Sequence, residues 1–368
     1  MKKFPVLLLL AGLCNTAFAQ STNQTKALTL KQAAVKLMDN GQTDSSLLLL
    51  RQAAALDPSN LDIPYETGYA FYLAKQPDST VAVLTDLLKK KQDTQIYEML
   101  GNAYDDLNQN EKAVEAYGKG LEIEPKNGRL MLNMGILFLR QDSTSRAMDW
   151  FEKGIAANPE FPSNYYWASK ILAANEKYIW ALLYGEIFQL NEPSGNRKNK
   201  ISELMYNIYK SQITLTDSGA SVKLNRQLVL NMDDLLNKKK QKNFKLPFEA
   251  NYEMAVSVAV AIPAALSGQK EMSLAMVAEI RSSFIKFYYS KNMDKNYPNA
   301  LLDWQKKIDD AGLTEPYSFY LMRYGNIDEF NSWVANGGEA KLHSLASFLH
   351  DNGLELNSSN YLHWGMYQ

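Results

Sequence analysis

The sequence predicts an all-α fold of stacked helix pairs, followed by a further helical region. Three observations lead to this prediction. Similar residues recur with a period of 34, apolar residues follow helical three- and four-residue spacing, and prolines close several of the repeating units. The chain has 368 residues, enough for two domains or for one domain with an extended array.

The period is clearest in eight positions, which recur when 34 is added to each residue number. The first set is Tyr97, Leu100, Gly101, Tyr104, Ala113, Tyr117, Gly120 and Pro125, and the second is Met131, Met134, Gly135, Phe138, Ala147, Phe151, Gly154 and Pro159. A third set is looser, with Ser169 in place of the glycine. Two weaker copies precede these, at 27–60 and at 61–93, and the latter is one residue short and lacks the closing proline. Five repeats therefore cover roughly 27–195.

Each repeat reads as two amphipathic helices joined by a short polar turn. Gly101 and Ala113 are small enough to let the two helices approach closely, and Pro125 ends the second helix because its ring cannot continue the hydrogen-bond ladder. No repeat can bury both apolar faces alone, so neighbours must stack. The predicted turns lie near 41–43, 76–78, 108–110, 142–144 and 175–177.

This pattern of aromatic, Leu-Gly, aromatic, Ala, aromatic and Pro over 34 residues resembles the tetratricopeptide repeat. The resemblance implies an α-solenoid of about five helix-turn-helix repeats over 20–196, with the first helix of each repeat lining a concave surface. It also implies a scaffold or adaptor that binds a protein or peptide segment on that surface, and not an enzyme.

The resemblance singles out two asparagines. In chaperone-binding members of the family, an asparagine at the ninth position of one repeat and another at the sixth position of the next hold a peptide backbone. Asn102 and Asn133 occupy those positions, although chance placement is the alternative. The same members clamp a terminal carboxylate with three basic residues. Those positions hold Glu98, Ser163 and Trp167 here, so the resemblance does not extend to the clamp.

Aromatic residues at the other inner positions extend the predicted binding surface. The candidates are Tyr65, Tyr69, Tyr166 and Trp167, of a type enriched at binding hot spots, together with the cation Arg129. The same register expects exposure of Met99 and Ser163. The alternative for the aromatic residues is packing between repeats, and Tyr69 and Trp167 are the two that we expect to be exposed.

The N-terminus predicts export. Lys2 and Lys3 precede an apolar run from Phe4 to Leu13, and Ala17-Phe18-Ala19 places small residues where a signal peptidase reads. The run is shorter than the roughly 20 residues needed to span a membrane. We therefore predict a cleaved signal over 1–19 and a periplasmic or secreted protein that does not insert into the membrane after cleavage. An uncleaved anchor is one alternative. A lipoprotein signal at Cys14 is another, but bulky Leu13 is a poor match.

Composition excludes several function classes. Cys14 is the single cysteine, so the predicted mature chain has no thiol for catalysis, disulfides or zinc ligation. The chain carries 39 basic and 40 acidic residues, and removal of Lys2 and Lys3 leaves a net charge of −3. This weak field gives no reason to expect nucleic acid as a partner.

The region 197–368 is predicted to be a helical domain or a cap. After a linker that follows Pro193, helical spacing suggests a stripe at 201–208 and helices at 227–237, 249–266, 271–289, 299–310, 316–323, 327–335 and 339–350. Pro263 is expected to kink or end its helix, and 217–221 to form a loop.

Motifs for catalysis are absent from the sequence, so we expect no cofactor and no metal. His343 and His350 would lie too far apart on one helix to share an ion, and a zinc site from His350, His363 and Asp351 is a weak alternative. The lysine runs 89–91 and 238–240 are interpreted as solvated helix ends. The alternative function is an enzyme or small-ligand binder with its site in 197–368.

Overall fold

The computed structural model describes residues 6–216, 219–225, 246–267 and 271–367. The chain divides into two compact units, Met1–Gln141 and Asp142–Gln368. Lys2 and Lys3 of the predicted signal lie outside the described residues, as do the predicted helix 227–237 and the lysine run 238–240.

The first unit is built from consecutive helices. They are α1 (Val6–Asp39), α2 (Thr43–Leu56), α3 (Asp62–Leu73), α4 (Pro77–Leu88), α5 (Thr94–Asp106), α6 (Asn110–Ile123) and α7 (Gly128–Arg140). The second unit continues with α8 (Thr144–Ala157), α9 (Pro162–Ala174) and α10 (Tyr178–Asn191). The five helix pairs predicted for 27–195 are confirmed, and each turn lies within two residues of its predicted position.

One backbone feature marks every turn within a pair. A residue with left-handed φ follows each first helix: Gly41 (73°), Lys75 (59°), Asn108 (55°), Asp142 (53°) and Glu176 (58°). A residue in this conformation commonly ends a helix because it turns the last carbonyl groups towards new donors. The positions are 34, 33, 34 and 34 residues apart, so the short second repeat predicted from the sequence is present in the backbone.

Close packing inside the first unit depends on the repeat glycines. A Cβ atom added to Gly101 would lie 2.3 Å from a ring carbon of Tyr117, and one added to Gly68 would lie 2.6 Å from Leu84. The predicted role of Gly101 at a helix contact is therefore confirmed. Around it lies a continuous apolar cluster of Leu84, Leu87, Ile96, Met99, Leu100 and Ala116.

Beyond α10 the second unit remains mostly helical. Its further elements are α11 (Asn196–Gln212), β1 (Ile213–Thr216), β2 (Gly219–Val222), α12 (Phe248–Ser267), α13 (Leu274–Ser290), α14 (Met293–Asn296), α15 (Ala300–Asp310), α16 (Thr314–Met322), α17 (Ile327–Trp333) and α18 (Glu339–Asp351). A 3-10 turn at Arg323–Gly325 and a π-helical turn at Val334–Gly338 join the last three helices.

One local prediction for this region was wrong, and one alternative of a second was excluded. Residues 219–221 form part of strand β2 and not a loop, because Ile213–Thr216 alternates buried and exposed residues and pairs with it in antiparallel register. Helix α12 continues through Pro263 to Ser267, so the proline does not end it. The predicted helix starts and ends elsewhere in this region agree with the described elements to within a few residues.

Helix α10 forms the centre of the second unit. Every residue from Ile179 to Gln189 is buried, so this repeat helix has no solvent face over that stretch. Within it, the Glu186 carboxylate accepts two hydrogen bonds from the Arg281 guanidinium, both at 2.9 Å. Tyr317 and Gln305 also donate to Glu186, at 2.8 and 3.0 Å. The fifth repeat therefore shares one core with helices of the C-terminal region.

Candidate protein-binding site

Local capping fixes where the predicted site residues lie on their helices. The Asp93 side chain accepts the backbone N–H of Gln95 and starts α5. Asn127 does the same for Arg129 and Leu130 at the start of α7. Side chains at these two N-cap positions satisfy backbone donors that have no partner within the helix, which sets the helical register of the residues that follow.

The structure brings Asn102 of α5 and Asn133 of α7 into direct contact. The Asn133 Nδ2 atom donates to Asn102 Oδ1 at 3.3 Å and to Glu98 Oε1 at 3.4 Å. The Tyr117 hydroxyl donates to the same Asn102 oxygen at 2.7 Å. Glu98, Asn102 and Asn133 are half-buried, whereas Tyr117 is buried. We call Asn102 and Asn133 the asparagine pair.

These bonds leave a complementary set of groups on the asparagine pair. Among the described residues, no acceptor is bonded to Nδ2 of Asn102 and no donor to Oδ1 of Asn133. One free donor and one free acceptor are what an extended peptide backbone requires, since its own N–H and C=O groups are both unpaired. The internal bonds hold the two amides in a fixed orientation.

Tyrosines and carboxylates extend the site along the first helices of the unit. Tyr69 is 38% exposed, Tyr65 is half-buried, and Arg129 is exposed. Burial raises the pKa of the Glu98 carboxyl, an effect opposed by the Arg129 charge and by the hydrogen bond from Asn133. Burial also raises the pKa of Glu66, although Lys31 opposes it. We call Tyr65, Glu66, Tyr69, Glu98, Asn102, Arg129 and Asn133 the first-helix surface.

Three residues at the predicted inner positions are buried. Met99 is 6% exposed because it packs in the apolar cluster of the first unit. In the second unit, Tyr166 is 5% exposed, since the Arg197 guanidinium lies 5.4 Å from its ring centre. Ser163 is 7% exposed and accepts a hydrogen bond from the same arginine at 2.9 Å. Arg197 is held by a bidentate contact with Glu192.

Trp167 is half-buried, which is less exposed than predicted. Its ring stacks on Phe151 with an interplanar angle of 9° and a centroid distance of 6.4 Å, while Lys170 lies 5.0 Å from its centre. Tyr166 is therefore removed from the candidate surface, and part of the Trp167 ring is occupied by packing. Both belong to the second unit.

Sequence reasoning missed the polar pairs that join α5 to α7. Arg140 donates to Asp105 at 2.7 Å, and this pair is separated by 35 residues, as are Glu98 and Asn133. Both pairs span one repeat plus one position. A search for complementary polar residues at that spacing would have found them.

The region 197–368, where the alternative places a catalytic site, contains a cavity of about 330 Å³ between α13 and α15–α16. Its lining includes Glu279, Asp309 and Glu315. Asp309 accepts hydrogen bonds from Ser282 and Thr314, and Glu315 accepts one from Trp333. Two of the three carboxylates are therefore engaged in structural bonds.

The described residues carry neither a metal-binding cluster nor a membrane-spanning helix. No group of three or more His, Cys, Asp or Glu side chains there is placed to hold a metal ion. Helices long and apolar enough to cross a bilayer were likewise not found in that part of the chain.

Comparison with known proteins supports the repeat assignment. A family model of the tetratricopeptide repeat matches residues 94–127, which are α5, α6 and their connections. The type IV pilus assembly protein PilF of Pseudomonas aeruginosa is 22% identical over 197 residues, covering 52% of this chain and 77% of PilF. The BBSome complex member BBS4 of Bos taurus is 28% identical over 145 residues, covering 39% of this chain and 27% of BBS4.

A solved structure of Pseudomonas aeruginosa pilF also resembles the chain. The sequence identity is 18%, the TM-score is 0.45, and the match covers 52% of this chain and 86% of that one.

Proposed function

Because this chain is a tetratricopeptide-repeat protein, we propose that it is an exported scaffold that holds an extended segment of a partner protein on its first-helix surface. The asparagine pair carries this proposal. Its free Nδ2 and Oδ1 groups offer one donor and one acceptor, within a polar cluster fixed by Glu98 and Tyr117. A peptide lying across α5 and α7 would pair its carbonyl with Asn102 and its N–H with Asn133.

Neighbouring side chains add contact area and exclude water around the asparagine pair. Tyr65 and Tyr69 on α3 present rigid aromatic surface, and rings of this kind contribute strongly to protein interfaces. Glu98, which contacts Asn133, and Arg129 provide opposite charges on this surface, so a partner segment can be oriented by its own charges.

Export is supported by the N-terminal sequence. Lys2, Lys3, the apolar run and Ala17-Phe18-Ala19 have the order of a cleaved signal. Similarity to a protein of type IV pilus assembly fits a scaffold of the cell envelope.

A photo-crosslinking experiment in intact cells tests this function. A benzoylphenylalanine at Tyr69 should capture a partner protein in the periplasmic fraction. The same probe at Leu48 of α2, which is 63% exposed, is the matched control and should not capture it.

The contribution of the asparagine pair is then measured with the partner so identified. Asn102→Ala with Asn133→Ala should weaken binding about tenfold or more, since each lost hydrogen bond costs on the order of 1 kcal/mol. Asn40→Ala, at an exposed asparagine bonded to its own helix, should leave the affinity unchanged. Wild-type affinity in the double variant, at a temperature where circular dichroism shows it to be fully folded, would show that the first-helix surface is not the binding site.

A further inference from the structure

The first unit contains a second candidate surface, on the side of the second helices. A cavity of about 530 Å³ lies between α4, α5 and α6. This volume is within the range of pockets that take small ligands or single protruding side chains. We call it the α4–α6 cavity, and its lining is Thr85, Leu88, Lys89, Gln92, Tyr97, Leu100, Tyr104, Lys112, Glu115, Ala116 and Lys119.

The cavity lies where the short second repeat ends. Helix α4 has 12 residues, whereas α2, α6, α8 and α10 have 14 each. Two missing residues shorten a helix by about 3 Å. The C-terminal end of α4, at Leu88 and Lys89, lies at the cavity, and a single hydrogen-bonded turn follows it.

The floor of the cavity is apolar. Leu100 and Ala116 are 6% and 4% exposed and belong to the apolar cluster of the unit. Tyr97 and Tyr104 add aromatic walls, and the Tyr97 hydroxyl is bonded to Gln92. An apolar or aromatic side chain entering here would bury its area against side chains that are already held in place.

The rim of the cavity is basic. Lys89, Lys112 and Lys119 line it together with a single carboxylate, Glu115. Lys112 donates to the neutral Gln109 side chain at 2.8 Å and lies 5.5 Å from the Tyr104 ring centre.

The other two rim lysines are weakly held. Lys89 pairs with Asp86 at 3.3 Å and Lys119 with Glu115 at 2.7 Å. The side chains of both pairs are between 47% and 71% exposed. Such exposed pairs contribute little and can be exchanged for a partner's carboxylates. The lysine run 89–91 was interpreted from the sequence as a solvated helix end. In the structure its first residue, Lys89, lines the apolar cavity.

We propose that the α4–α6 cavity binds an acidic protein segment which inserts one aromatic or large apolar side chain between flanking carboxylates. The apolar floor favours an apolar or aromatic inserted side chain, and the lysine rim favours negative charge in the residues that flank it. This surface is distinct from the first-helix surface, so the proposal stands or falls separately from the asparagine pair.

Calorimetric titration of the full chain with a capped synthetic peptide, Glu-Asp-Phe-Asp-Glu, tests the proposal. Binding is expected for this peptide, and loss of binding is expected when Phe is replaced by Ser or when the four acidic residues are replaced by Lys. Backbone amide shifts in an NMR titration should change in α4, α5 and α6.

Variants of the rim localise the interaction. Lys112→Glu with Lys119→Glu should weaken binding about fivefold or more, as expected for the loss of two ion pairs and the gain of repulsion. These lysines are exposed, so folding should be preserved. Lys36→Glu, at an exposed lysine of α1 that does not line the cavity, is the matched control and should bind like the wild type.

Three results would overturn the proposal. The first is equal affinity of the rim variant and the wild type for the Phe peptide. The second is equal affinity of the wild type for the Phe and Ser peptides. The third is absence of peptide binding, including the case in which the small aromatic anion 8-anilinonaphthalene-1-sulfonate binds in the cavity. Because Asn102 and Asn133 do not line the cavity, the double alanine variant should bind the peptide normally, which separates this test from that of the proposed function.

Discussion

Two glycines of the third repeat should respond in opposite ways to the same substitution. Gly101 of α5 and Gly118 of α6 are both helical. On folding, each loses more backbone conformational freedom than an alanine at the same position would lose. Around Gly118 no atom lies within 4 Å of an added Cβ, whereas at Gly101 that atom would lie 2.3 Å from the Tyr117 ring. Gly101→Ala and Gly118→Ala therefore isolate the effect of helix contact.

The magnitudes follow from these surroundings. Gly118→Ala should raise the free energy of unfolding by about 0.5–1 kcal/mol, from helix propensity alone. Gly101→Ala gains the same propensity, but it must displace a tyrosine ring that is 1% exposed. Overpacking costs about 1–3 kcal/mol, and loss of the Tyr117–Asn102 hydrogen bond adds about 1 kcal/mol. A net loss of about 1–3 kcal/mol is expected. Gly101→Leu should cost at least as much.

Urea unfolding followed by circular dichroism measures both variants against the wild type. The two midpoints should move in opposite directions, with Gly118→Ala above the wild type and Gly101→Ala below it. If both midpoints rise, the Tyr117 ring does not restrict position 101, and the close contact between α5 and α6 would be refuted.

Two further predictions concern buried charge in the second unit. Burial raises the pKa of Glu152 from 4.5 to about 7, although hydrogen bonds from Tyr184 and the Trp364 backbone oppose the rise. Because the folded pKa lies above the unfolded value, the stability due to protonation is complete below pH 4.5 and is lost as pH rises through 7. Relative to Glu152→Gln, the wild type should lose roughly 2–3 kcal/mol between pH 5 and pH 8 in urea melts, and parallel curves would contradict this. Arg281→Met should cost about 3–5 kcal/mol because it leaves the Glu186 carboxylate buried without its counter-ion, and Glu186→Leu added to it should recover part of the loss in thermal melts. A double variant less stable than Arg281→Met alone would disprove that explanation.

The repeats were predictable from the sequence because their contacts are local and periodic. Gly101 faces Tyr117 within one repeat, and the same contact pattern returns about every 34 residues, so spacing alone identifies it. The positions of Asn102 and Asn133 follow from that register, and the structure places the two amides within 3.3 Å of each other. The exposure of Tyr69 was also predicted correctly.

Only the tertiary structure decided which repeat positions remain exposed to solvent. Arg197 covers Tyr166 from outside the repeat region, and no periodicity relates the two residues. Glu186 and Arg281 are 95 residues apart, and only the fold of the second unit brings them together. The α4–α6 cavity is lined by side chains from three different helices, and only the folded structure places them around one space. Sequence periodicity reports contacts that recur, whereas burial, buried charge pairs and cavities arise from contacts that occur once, between segments distant along the chain.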